Sequence, residues 1–196
     1  MPIQLKDDDG FPTVCEAVFA TAVPDDVGRL CVVYWARCEA YGDPLRVLDW
    51  DLANFSADTW PNVAKRVEEL RRRCGARQPP SIVALVEGET LAHQANARGC
   101  LAIPVPTHLT TQDAWQGLVT AAASHLADGN VKLTKTAWAK ANSDLNGRGG
   151  FAGLPRMHPG PRSDDPTVPA WLYGVVLGLD PASAKPPTPA KVKVVR

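Results

Sequence analysis

Acidic residues border two apolar segments of the chain, and their type suits the binding of hard divalent cations. Glu87 closes the apolar run 82–86, and Asp164 and Asp165 come just before the apolar segment 168–179. Carboxylate oxygens are the ligands that Mg²⁺ and Mn²⁺ prefer. Two such ions ~3.5–4 Å apart activate a water molecule and stabilise the charge that develops in phosphodiester hydrolysis. The three acids are therefore candidate metal ligands and catalytic residues.

Each of these acids also has an ordinary structural explanation. Glu87 can be the solvated end of a strand, although half-burying it without a bound partner is costly. Asp164 and Asp165 can cap the N-terminus of the following helix and interact with its dipole. Asp25 and Asp26 follow an apolar strand, where solvation of a turn is favoured over metal binding. The pattern of residues alone leaves both explanations open for the first three acids.

Three strand-like segments must position the first part of this site. They cover residues 14–23, 29–38 and 45–51, and each is rich in β-branched or aromatic residues. Short links with turn-forming residues separate them. This spacing predicts an antiparallel meander.

Helices and strands alternate in the rest of the chain, which is the order of an α/β fold. The first predicted helix is capped by Ser56 or Asp58 and ends at Gly75, and a strand over 81–87, a helix over 91–98 and a strand over 100–105 follow it. The next helix is capped by Thr110 or Thr111 and ends at Asp128. The last predicted elements are a strand over 131–133, a short helix around residue 138 and a helix over 168–179. We therefore expect a mixed central sheet flanked by helices, as in ribonuclease H-like folds.

Length and composition favour one domain. The 196 residues suit a single core, with residues 1–12 as a flexible lead-in, 13–180 as the domain and 181–196 as a disordered, basic, proline-rich tail. No apolar run approaches the ~18 residues of a membrane span, and the cysteines form no C-x-x-C pair. These features predict a reduced protein in the cytoplasm. Because the formal net charge is zero, any surface for nucleic acid must be local.

Four motifs, in this order, give the chain a resemblance to a known family. They are V-F-A-T-A-V at 18–23, V-L-D-W-D at 47–51, V-E-G-E-T-L-A-H-Q-A at 86–95, and D-D followed by L-Y-G between 164 and 174. The chain resembles the C-terminal nuclease domain of phage terminase large subunits, which package and cut concatemeric DNA. The resemblance implies a ribonuclease H-like fold and a Mg²⁺- or Mn²⁺-dependent endonuclease in the host cell cytoplasm. The implied partners are double-stranded DNA and other components of the packaging motor.

The same resemblance implies the roles of individual residues. Glu87, Asp164 and Asp165 would be the metal ligands of a two-metal site. Ala20 stands at the catalytic position where the family has an aspartate in its first strand. Two-metal hydrolysis is therefore expected to be impaired in the chain as written. Val168 also replaces an acid that the family usually carries.

Two hypotheses about function follow from the resemblance. In the first, the chain is a terminase-type endonuclease in which Ala20 has replaced an aspartate, so that restoring it yields metal-dependent nicking of DNA. In the second, the chain is a naturally degenerate, non-catalytic terminase-like protein that binds DNA or a protein partner. No G-x-x-x-x-G-K-[ST] phosphate loop occurs in the sequence, so the motor's ATPase activity is not expected of it.

Local basic residues must supply any affinity for DNA. Arg148 lies in a glycine-rich segment, and Arg156 and Arg162 follow it. These three are the predicted DNA-binding residues. The denser basic cluster at Arg66 and residues 71–73 is interrupted by acids, and a solvated helix face is the favoured interpretation.

Overall fold

In the computed structural model, residues 6–25, 27–38, 44–85, 101–105, 109–145 and 166–179 are described. The elements in these ranges are β1 Ala17–Pro24, β2 Arg29–Arg37, β3 Leu45–Asn54, α1 Thr59–Arg73, β4 Ser81–Ala84, β5 Leu101–Pro104, α2 Gln112–Ala127, β6 Val131–Leu133, α3 Lys135–Leu145 and α4 Thr167–Leu179.

The strands form one mixed sheet in the order β5-β4-β1-β2-β3-β6. The predicted meander is confirmed, because β2 pairs antiparallel with β1 and with β3. The remaining pairs, β1–β4, β4–β5 and β3–β6, are parallel. The predicted fold class is therefore confirmed: the domain is α/β and ribonuclease H-like, with a mixed central sheet flanked by helices.

A β-bulge interrupts the pairing of β2 with β3. Trp35 lies opposite Val47, whereas Tyr34 lies opposite Asp49, so Leu48 is an extra residue in β3. Leu48 packs in the apolar cluster that lies beneath α1, and Asp49 bonds Arg66 of α1. Two successive residues of β3 therefore face the same side of the sheet.

Each face of the sheet has its own apolar core, because successive residues of a strand point to opposite faces. Val18, Ala20 and Ala22 of β1 pack with the apolar stripe of α1 on one face. Phe19 and Val23 pack on the other face with α2, α3 and α4. Alternation along β1 thus separates the two cores.

Helix α4 lies very close to β1 and β2. Thr21 donates a hydrogen bond to the Ala170 carbonyl (2.7 Å) and accepts one from the Trp35 indole nitrogen (2.9 Å). The Trp171 ring meets Trp35 edge-on, with centroids 5.7 Å apart. A Cβ atom at Gly174 would overlap the Trp35 indole ring. The glycine therefore permits the helix to approach the tryptophan.

Some element boundaries differ from those predicted from the sequence. Strand β1 begins at Ala17 rather than residue 14, and β4 ends at Ala84 rather than residue 87. Strand β3 continues to Asn54 because its ladder with β2 extends as far as Arg29. The predicted helix over 91–98 lies outside the described residues, as does the tail 181–196.

The N-terminal segment packs on the domain in the part that is described. Lys6 pairs with Pro12 across an isolated bridge. Phe11 is buried, and the Arg73 guanidinium lies 3.5 Å from the centre of its ring. The flexibility expected of residues 1–12 stays a prediction, but Phe11 anchors the segment to the core. Over the described ranges, no helix has the length and apolar character needed to cross a membrane.

Replacing Gly174 with alanine is expected to destabilise the domain by ~1–3 kcal/mol, because the added methyl group overlaps Trp35. Gly117→Ala is the matched control, since its Cβ meets no atom within 4 Å and alanine favours a helix by ~1 kcal/mol over glycine. Urea denaturation of both variants measures the difference. Equal midpoints would show that α4 does not depend on this close approach.

Candidate functional site

Ala20 lies at the centre of the sheet. Its neighbours across the ladder are Tyr34 of β2 and Ile82 of β4. The residue is fully buried, and its methyl group belongs to the apolar cluster beneath α1. The position that the resemblance implies as catalytic is therefore part of an apolar core.

Thr21 is the polar residue on the face of β1 that α4 covers. Its side chain is buried, and its hydroxyl joins the Trp35 indole nitrogen to the Ala170 carbonyl. The hydroxyl thus uses its proton and one of its lone pairs in contacts within the protein. Thr21 stabilises the packing of α4 on the sheet, and this role was not predicted from the sequence.

The remaining predicted site residues lie outside the described residues. These are Glu87, Asp164 and Asp165 among the acids, and Arg148, Arg156 and Arg162 among the bases. Their predicted roles stay predictions.

The described residues that border Glu87 and Asp165 can be placed relative to β1. Leu85, two residues before Glu87, donates a backbone hydrogen bond of 2.9 Å to the Ala22 carbonyl of β1. Helix α4 begins at Thr167, two residues after Asp165. Because α4 packs on the Thr21 face of β1, the side chain of Ala20 lies on the opposite face from it.

The donor groups of β1 do not fit a two-metal site. Among the described residues, no group of three or more His, Cys, Asp or Glu side chains is placed to hold a metal ion. Ala20 has no donor atom, and the Thr21 hydroxyl is hydrogen-bonded within the core. Magnesium and manganese bind through carboxylates, which β1 does not supply here.

A different acid, Asp49 of β3, is at the centre of the described polar contacts. Its residue is 4% exposed. One carboxylate oxygen accepts from Arg66 of α1 (3.0 Å). The other accepts from Lys140 of α3 (2.6 Å) and from the Trp50 backbone N–H (2.9 Å). This buried acid therefore ties two helices to the edge of the sheet.

Lys140 completes this cluster. Its ammonium group also bonds Asp51 (3.0 Å) and the Trp50 carbonyl (3.1 Å). Burial by itself would lower the pKa of Lys140, but the hydrogen bonds that Lys140 donates to Asp49 and Asp51 outweigh it and raise the pKa. The lysine is therefore charged at neutral pH. The V-L-D-W-D run was the available signal, since an acid within an apolar strand needs a partner.

A groove opens beside this cluster, between α1 and the adjoining parts of β2 and β3. We call it the β3 groove, and its volume is about 420 Å³. Its lining combines aliphatic and polar side chains. The lining residues are Leu30, Val32, Tyr34, Asp51, Leu52, Ala53, Asn54, Ser56, Thr59, Asn62, Val63 and Arg66. Its volume is within the range of small-ligand pockets, ~300–1,000 Å³.

The basic residues at the end of α1 are paired within the chain. Arg71 and Arg72 both bond Glu68 at 2.7 to 2.9 Å, and Arg73 bonds Asp7 and Asp9. The hydrogen bond from Arg71 is the main reason that the pKa of Glu68 falls to about 2. These pairs reduce the positive charge that the cluster presents to a phosphate backbone.

The sheet order and the helices on both faces define a ribonuclease H-like α/β domain. No family model matches the sequence, and no match was found among curated proteins. Among solved structures, the chain is similar to the large terminase nuclease from thermophilic phage G20c with bound zinc, at a TM-score of 0.45 and 17% identity. The similarity covers 82% of this chain and 84% of that chain.

Asp49→Asn is expected to lower the free energy of unfolding by ~1–3 kcal/mol, because it leaves two cations with a neutral partner. Asp51→Asn is the matched control, since its side chain is 53% exposed and an exposed pair contributes ~0–1 kcal/mol. Urea denaturation at neutral pH compares the two. An equal effect of both substitutions would contradict the central role of Asp49.

Proposed function

We propose that this chain is a terminase-nuclease-like domain that does not hydrolyse DNA as written and acts by binding duplex DNA. The observation that supports the proposal most strongly is the use of β1 for packing. Ala20 is fully buried beneath α1, and Thr21 is hydrogen-bonded to α4 and Trp35.

The chemistry of phosphodiester hydrolysis explains why β1 matters. Two metal ions must be held close together by carboxylates that come from separate elements. Glu87, Asp164 and Asp165 are the proposed ligands from the rest of the chain. Without a carboxylate from β1 this set is incomplete, so the chain as written is not expected to hydrolyse DNA.

The position of Ala20 favours natural degeneracy over the loss of a single aspartate. An aspartate at residue 20 would extend into the apolar cluster beneath α1, where an unpaired carboxylate is costly. Helix α4, which follows Asp164 and Asp165 in the sequence, packs on the other face of the sheet. Val168 is a second departure from the family pattern, and it is buried.

Duplex DNA is the partner that the terminase resemblance implies. The net charge of the chain is zero, and the arginines at the end of α1 are paired with acids. We therefore propose that Arg148, Arg156 and Arg162 supply the contacts to phosphate. Other components of a packaging motor are the alternative partners.

Ala20→Asp tests the non-catalytic proposal directly. We expect the variant to lose ~3–5 kcal/mol of stability, as when a buried charge has no partner. We also expect no nicking of plasmid DNA in Mg²⁺ or Mn²⁺. Thr21→Asp is the matched variant, because it places the carboxylate on the face covered by α4.

Manganese-dependent nicking by Ala20→Asp would overturn the proposal and support an endonuclease that had lost one ligand. Tight binding of Mn²⁺ by the unmodified chain in calorimetric titration would also contradict degeneracy. Nicking by Thr21→Asp alone would place the lost ligand at residue 21.

Replacing Arg148, Arg156 and Arg162 with alanine tests the binding of DNA. We expect weaker binding and a smaller dependence on salt, because each phosphate contact contributes roughly 0.9 to the slope of log K against log salt. The matched control replaces Lys65, Arg77 and Lys132, which are exposed bases elsewhere. Fluorescence anisotropy of a labelled duplex over a series of salt concentrations measures both sets. Unchanged affinity and slope would favour a protein partner instead.

A further inference from the structure

The last part of β3 is an open edge of the sheet in the described structure. Strand β6 pairs only with residues 45–47 of β3. The Phe55 N–H donates to the Gly28 carbonyl at 2.7 Å. Since hydrogen-bonded pairs alternate along an antiparallel ladder, Asp51 and Ala53 bond to β2. The backbone groups of Leu52 and Asn54 therefore point away from β2.

The backbone groups of Trp50 on the open side of β3 have hydrogen-bond partners, whereas those further along the edge have none among the described residues. The Trp50 N–H donates to the Asp49 carboxylate, and the Trp50 carbonyl accepts from Lys140. Within the described ranges, no backbone group pairs with Leu52 or Asn54 on the open side. An uncovered edge of this kind is a template for an additional strand.

The side chains along the edge specify what kind of strand would fit. Leu52 is 42% exposed on one side of the edge. On the other side Asp51 lines the β3 groove together with Tyr34. Burial raises the pKa of Tyr34, and the negative charges of Asp51 and Asp49 raise it further. Lys140 and Arg66 already pair Asp49, but Lys140 bonds only one oxygen of Asp51, whose side chain is 53% exposed. The other oxygen of Asp51 can accept from a second basic side chain on the groove side, and the exposed Leu52 favours an apolar one on the other side.

We propose that residues 190–196 of this same chain add to the sheet as a strand beside Leu52 and Asn54. Their sequence, A-K-V-K-V-V-R, alternates basic and β-branched residues, and β-branched residues favour strands. In an added strand, Lys191 and Lys193 lie on the side of Asp51, while Val192 and Val194 lie on the side of Leu52.

The connecting segment is long enough for this contact. Helix α4 ends beside the start of β3, since a Cβ atom at Gly178 would meet the Leu45 side chain at 2.6 Å. From Leu45 to Leu52 a strand spans ~23 Å. The segment 180–190 spans up to ~36 Å when extended. The contact can therefore form within one chain.

Amide hydrogen exchange of the full chain, measured by NMR at Leu52 and Asn54, tests the proposal. Lys193→Glu is expected to speed exchange at these two amides roughly tenfold, the effect of losing marginal backbone hydrogen bonds. Lys185→Glu changes the same charge outside the alternating stretch and is expected to have no such effect. The Ala53 amide, which bonds to β2, is the internal control for global unfolding.

A charge exchange makes the test specific to the proposed pairing. Asp51→Lys combined with Lys193→Glu is expected to restore most of the protection that Lys193→Glu removes. Equal exchange in all variants would overturn the proposal, as would equal effects of the substitutions at 185 and 193. Protection that falls on dilution would mean that a second copy donates the strand, which also overturns pairing within one chain.

Discussion

The hydroxyl group of Thr21 is the contact on which the arrangement of the sheet and α4 depends. It joins the central strand β1, the Trp35 indole of β2 and the Ala170 carbonyl of α4. Beside this contact α4 lies so close to β2 that a Cβ atom at residue 174 would overlap the Trp35 ring. The centre of the sheet is thus held by neutral hydrogen bonds and apolar packing.

These neutral contacts stabilise the centre of the sheet without the carboxylates that metal-dependent catalysis would require there. A cluster of carboxylates that binds metal is held together by the ion and repels itself without it. Here the buried acid of the described structure, Asp49, has its own cations in Arg66 and Lys140. The charge of Asp49 is therefore balanced by side chains of the described residues.

The sequence predicted the elements well but not how they meet. Strong periodicity predicted the meander, the buried strand β4 and α4, since each pattern is local. The alternation in β1 shows that residues 20 and 21 face opposite sides, but not which helix covers each side. The V-L-D-W-D run signals that Asp49 needs a partner, but not which one, because Arg66 and Lys140 come from elements distant along the chain.

The bulge at Leu48 constrains the number of residues in β3. In a straight ladder carrying the same residues, Asp49 would lie opposite Val33 and point into the apolar core beneath α4. The extra residue moves the acid to the other face, within reach of Arg66. The count of residues in this strand is therefore as constrained as their identity. An inserted or lost residue would shift the alternation of side chains along β3. Only a change that keeps Asp49 on the α1 face of the sheet is compatible with the fold.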